Sequence, residues 1–294
     1  EGERMSRAMS FVMAVFILIP VVAPALGAGI AAVASWRWIF GTCVLAVAIM
    51  AVWSRRLPET LKEEHRRELQ FARLLEAARI VVSNRRTVAY ALAMTSLYGV
   101  LTAYLGSAEI IFTEVFDASA EFPFLFGGLA AVMGVGMLAN ARVVGRVGVR
   151  RLAHLTLVVY LGIAGALTLL SVLTGGRPPL WAFMLGLAGM LAGHALVIPN
   201  FNTIAMQPMA AVAGTASSVI GAVQIAVGAL LGAVIDRSFD GTVTPLAVGF
   251  LVLGVVALGF VVFAERGRLF EPLAVVEART AAEAQARGEA IEIH

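Results

Sequence analysis

Residues 178–235 run for 58 positions without a Lys, Arg, Asp or Glu. A helix crosses the hydrocarbon core of a bilayer with roughly 20 apolar residues, so this run holds two crossings back to back. Near its middle stand Pro199-Asn200-Phe201-Asn202 and Gln207-Pro208. Proline removes a backbone donor and interrupts a helix, and the run is read as two helices split at Pro199-Asn200. No water-soluble core of this size absorbs so much apolar surface. The chain has 294 residues, of which 60% are hydrophobic and 14% charged, against roughly 25% charged in a typical soluble domain. Cys43 is the single cysteine; it excludes an intrachain disulfide and, in an apolar run, is expected to pack.

Six further charge-poor segments, at 8–36, 38–54, 87–108, 122–141, 155–176 and 241–264, raise the expected number of spans to eight. If the chain alternates, Arg4 and Arg7, the nine basic residues of 55–86, the group Arg142, Arg146, Arg150 and Arg151, and the basic residues of the tail all fall on one side. The other side keeps Arg37, Arg177 and Arg237. The positive-inside rule makes the Arg-rich side cytoplasmic and places both termini there. The net charge of +3 is thereby explained by topology, and no nucleic-acid partner is expected. The 55–86 interval mixes Arg and Glu around Leu61, Leu69, Phe71, Leu74, Leu75 and Ile80, a spacing that suits an amphipathic helix on the membrane surface. The Ala- and Glu-rich tail from Glu265 is expected to be a short, loosely ordered helix. The opening Glu1-Gly2-Glu3-Arg4 lacks an initiator Met, and an upstream continuation is expected.

Three stretches carry motifs. The first span holds Pro20, Ala23, Pro24, Gly27 and Gly29: prolines four apart bend the helix, and small residues admit a close neighbour. On physics alone it is equally an ordinary kinked packing helix. With Leu57-Pro58-Glu59-Thr60-Leu61 after the second span, it resembles the antiporter-motif helix of the major facilitator superfamily, in the Bcr/CflA-type multidrug-resistance branch; Ile19, Ala23 and Ala28 depart from the motif's glycines. The run from Ala141 to Arg151 resembles the superfamily's cytoplasmic gating loop in its second-half copy. Arg146, Gly148 and Arg150 match it, Arg142 and Arg151 flank it, and Gly145 replaces its Asp. Plain positive-inside anchoring accounts for these arginines equally well. The third stretch, Val197-Ile198-Pro199-Asn200 through Gly214, Ser217 and Gln224, resembles the tenth and eleventh helices of the branch.

The resemblance implies an all-α polytopic membrane protein with the major facilitator fold, its eight spans corresponding to helices five to twelve of twelve. Residues 1–54 would be the last two helices of the N-terminal half, 55–86 a cytoplasmic linker, 87–264 the six-helix C-terminal half and 265–294 a cytoplasmic tail. It also implies proton-driven efflux of drug-like compounds by alternating access in a bacterial inner membrane, by a monomeric protein. Tyr98, Asn200 and Gln224 are the cavity candidates, since uncharged polar groups at membrane depth face a cavity or a neighbouring helix. Glu109 is the proton-coupling candidate, although the acids that follow it favour a place at the outer interface. A permease for a nutrient or metabolite and an inert truncated product are the rival readings. A membrane enzyme would need paired acids or a His/Asp cluster, and none stands out; no metal or cofactor is expected.

Overall fold

The computed structural model describes residues 23, 26, 27, 29–56 and 78–270. Among these, seven helices are long and apolar enough to cross a membrane, and no strand occurs. They are α1 (Arg37–Ser54), α2 (Arg85–Ile110), α3 (Phe122–Val147), α4 (Val149–Leu173), α5 (Leu180–Met206), α6 (Ala213–Arg237) and α7 (Thr244–Ala264). Most of the expected span at 8–36, most of the 55–86 interval and the tail after Phe270 lie outside the described residues, as do Pro20 and Pro24.

Two boundaries differ from the sequence expectation, each for a physical reason. Helix α5 continues straight through Pro199 rather than breaking there. The proline forfeits one bond to the carbonyl four residues back, but polar side chains hold the turns around it. Asn200 Nδ2 donates to the Leu196 carbonyl at 2.6 Å and Thr203 Oγ1 to the Pro199 carbonyl at 2.9 Å. The chain turns instead at a 3₁₀ stretch, Gln207–Val212, with Pro208 in its first turn and Met209 out of helical geometry. Likewise α3 runs on to Val147, which carries Arg142 and Arg146 onto the helix. Gly148 alone separates α3 from α4, at φ +86°, a conformation that a side chain strongly disfavours.

Paired contacts fix the direction of each helix. Gly99 meets Gly228 and Ala103 meets Gly232, so α2 and α6 run parallel. Gly136 meets Ala192 and Ala195, while Asn140 bonds to Asn200, so α3 and α5 are parallel too. Thr87 bonds to the Ala205 carbonyl and Tyr90 packs on Phe201, which sets α2 antiparallel to α5. The alternation read from the sequence holds throughout the bundle.

The contacts also reveal a symmetry that the sequence hides. Exchanging α2, α3 and α4 for α5, α6 and α7 maps α2–α6 onto α5–α3, α2–α7 onto α5–α4 and α3–α4 onto α6–α7. The contacts α2–α5 and α4–α7 map onto themselves. Because α2 and α5 point in opposite directions, the two triplets form an inverted repeat.

Tyr90, Tyr160, Phe112, Phe183, Phe201 and Phe250 are fully buried. At the end opposite the arginines, Phe112, Phe116, Phe122, Phe126 and Phe183 form a chain of ring contacts that joins α2, α3 and α5. Helix α1 differs: none of its residues is buried. An apolar helix so uncovered is built for lipid or for other helices.

Candidate functional site

The α2–α6 crossing is the closest approach between two helices that carry cavity candidates. A Cβ on Gly99 would lie 2.8 Å from Leu231 Cβ, and one on Gly232 would lie 2.9 Å from the Ala103 amide nitrogen. Glycine at both places lets the backbones touch. Thr102 Oγ1 then reaches across to the Gly228 carbonyl at 3.1 Å. Tyr98 packs against Gly228, where an added Cβ would come within 2.6 Å of its ring. Gln224 lies one helical turn before Gly228, hence on the same face of α6. Tyr98 and Gln224 are both half-buried. The structure therefore brings these two candidates to one helix crossing, and it presents there a phenol and a carboxamide.

Asn200 belongs elsewhere, in the symmetry-related α3–α5 crossing. It is buried, and its Nδ2 donates to Asn140 Oδ1 at 2.7 Å as well as to its own helix. Glu109 is exposed near the end of α2. Asp236, in the last turn of α6, does reach into the bundle. Its carboxylate rests on Gly106, a seat that a side chain would block, and Ser107 Oγ donates to Oδ1 at 2.5 Å. Of the antiporter-motif residues, Ala23, Gly27 and Gly29 are described. Ala23 and Gly29 are exposed, and a Cβ on either glycine would meet open space.

At the Arg-rich end the gating-loop residues separate. Arg142, Arg146 and Arg151 are exposed on either side of the Gly148 corner. Arg150 is buried and forms an ion pair with Glu265. Tyr90 from α2 donates to Glu265 Oε1 at 2.7 Å, and its hydroxyl lies 2.8 Å from His154 Nε2. Glu265 is thus part of a buried cluster, not the start of a loose helix. The left-handed backbone of Arg266 and Gly267 turns the chain back over the bundle. The joining of Tyr90, His154 and Glu265 escaped the sequence reading. One available signal was a carboxylate directly after a span on the side otherwise filled with arginine.

Six of these helices form an inverted repeat of apolar spans with polar groups at their crossings, the architecture of a multi-pass membrane transporter. A model of the Major Facilitator Superfamily matches residues 1–233, and the chain belongs to that superfamily. It is 26% identical over 246 residues to a bicyclomycin resistance protein homolog of Haemophilus influenzae, covering 83% of this chain and 61% of the relative. An uncharacterized MFS-type transporter of Bacillus subtilis is 22% identical over 265 residues, 88% of this chain and 65% of the relative. An uncharacterized transporter of Rickettsia bellii is 22% identical over 267 residues, 87% of this chain and 65% of the relative. The chain therefore spans less than two thirds of the length of each of these relatives. The bicyclomycin-resistance relative supports the Bcr/CflA-type branch. The superfamily is one of membrane transporters and not of enzymes.

Proposed function

We propose that the chain serves efflux of drug-like compounds by proton antiport, its six-helix unit forming one wall of a cavity that opens alternately to the two sides. The observation that carries this reading is the α2–α6 crossing, where Tyr98 and Gln224 offer uncharged polar groups amid apolar and small residues. A wall without fixed charges recognises area and a few hydrogen bonds rather than one shape. The resistance named for the Haemophilus influenzae relative supports a drug-like cargo.

In this reading residues 1–54 belong to the first half of the transporter, 55–86 link the halves, 87–264 are the second half and 265–294 the tail. The Arg-rich end is cytoplasmic by the positive-inside rule, with both termini of the chain inside a bacterial inner membrane, and the working unit is a monomer. Pro20, Ala23, Pro24, Gly27 and Gly29 form the contact between halves that limits leakage. The Gly148 corner, with Arg142, Arg146 and Arg151 exposed and Arg150 anchored, acts as the inner gate. Asn200 shapes the wall through its bond to Asn140. Glu109 is the candidate proton carrier, and its exposed position suits the outer interface as well.

The test is ethidium retention in an efflux-deficient bacterium that expresses the complete open reading frame containing this chain. Retention should fall on expression and recover when a protonophore is added. Unchanged retention across a panel of drugs would sink the reading and leave a nutrient or metabolite permease. Proton-coupled efflux that survives Glu109→Gln would assign Glu109 to the interface.

A further inference from the structure

The buried cluster at the Arg-rich end has hydrogen bonds that run in one direction, and the direction constrains the protonation of His154. The Phe270 amide donates to His154 Nδ1 at 3.1 Å. A backbone N–H only donates, so Nδ1 carries a lone pair and the ring is the neutral tautomer with its proton on Nε2. Nε2–H then donates to the Tyr90 hydroxyl, 2.8 Å away, and Tyr90 donates to Glu265 Oε1 at 2.7 Å. Glu265 in turn is paired with Arg150. The chain of donors thus starts at the segment after α7 and ends on a carboxylate in that same segment. The Phe270 ring also packs edge-on against His154, with centroids 5.9 Å apart. Two non-glycine residues of the segment, Arg266 and Phe270, have positive φ, a backbone state held only where surrounding contacts enforce it.

We propose that His154 is a proton-binding site that controls docking of the 265–270 segment on the start of α4. Neutral His154 accepts the Phe270 amide; protonated His154 presents a second N–H there and cannot. The charged groups around the ring reinforce the effect. Arg150 lies one turn away on α4, the charge of Arg86 on α2 is felt at Tyr90, and Arg266 follows Glu265 in the segment. Glu265, already committed to Arg150, is the carboxylate that faces them; α5 contributes the apolar Phe201 against Tyr90. The docked form binds one proton fewer than the undocked form, so docking is strongest at high pH and weakens as pH falls. This holds whatever the transporter's cargo.

Hydrogen exchange on the full chain in lipid nanodiscs tests it, read as protection factors for the 265–270 amides. Lowering the pH from about 8 to about 5, across the ordinary histidine range, should cut protection of this segment about fivefold or more, the size of one hydrogen bond. Amides in the middle of α4 should keep theirs. His154→Asn retains an acceptor near Nδ1 and does not titrate, so its segment should stay protected at both pH values. Protection in the wild type that ignores pH would overturn the proposal. So would equal loss in α4, or a pH response that persists in His154→Asn.

Discussion

The two parallel crossings, α2 with α6 and α3 with α5, occupy equivalent places in the inverted repeat and are closed by different chemistry. In the first, glycines put backbone on backbone, and the side chains between them are Thr102, Tyr98 and, at the far end, Asp236 on Ser107. In the second, a Cβ added at Gly136 would stand 3.1 Å or more from the nearest atoms of Ala192 and Ala195, and a buried Asn140–Asn200 amide pair joins the helices. Both crossings carry side-chain hydrogen bonds, but the first brings glycine backbone onto backbone and the second is joined by a buried pair of amides. An inverted repeat thus fixes where helices meet while leaving the chemistry of each meeting free to diverge, and it is the glycine-closed crossing that also carries Tyr98 and Gln224.

Substitutions that fill space should separate the two most clearly. Gly232→Ala puts a Cβ 2.9 Å from the Ala103 amide nitrogen and closer still to the Thr102 hydroxyl. It should destabilise the purified protein in detergent by about 1–3 kcal/mol, the usual cost of overpacking, read from its thermal unfolding. The matched change in the other crossing, Gly136→Ala, needs a shift of only a few tenths of an ångström and should cost below about 1 kcal/mol in the same assay. An equal effect at both sites would erase the distinction.

The amide pair should respond to deletion instead. Asn140→Ala and Asn200→Ala are each expected to weaken the bundle. In a double-mutant cycle they should show coupling of about 0.6 kcal/mol, up to about 1.7, the range of interhelical hydrogen bonds in membranes. Strict additivity would mean that the bond contributes nothing. Ser107→Ala removes a donor from a partly solvated carboxylate and should cost about 0.5–1.5 kcal/mol at neutral pH. Its loss should be smaller still in acid, where a protonated Asp236 no longer needs that donor.

Much of this architecture was legible before any coordinates. Charge-free length marks the spans, and the arginine distribution marks their alternation, because lipid imposes both on every residue independently. Gly148 was legible for the same local reason. The break at Pro199 was misread: losing one backbone bond is a local fact, but Asn200, Thr203 and the surrounding bundle hold the helix together. The joining of Tyr90, His154 and Glu265 was not legible, since they stand 64 to 175 positions apart in the chain and meet only through the fold. The inverted repeat was equally hidden, since it lives in which helices touch and not in which residues recur. Tyr98 and Gln224 were picked out singly from the sequence, yet only the register of α2 against α6 puts them at one crossing.

That pairing is what the proposed transport function rests on, and labelling tests it directly. Cys43, the single native cysteine, is exposed and is first replaced by Ser; Gln224→Cys is then introduced and its alkylation rate followed in membranes with and without ethidium. The account predicts that ethidium slows labelling of Gln224→Cys while leaving a cysteine at the exposed Leu169 position unaffected. Identical rates at Gln224→Cys with and without ethidium, in a protein that still exports it, would contradict the account.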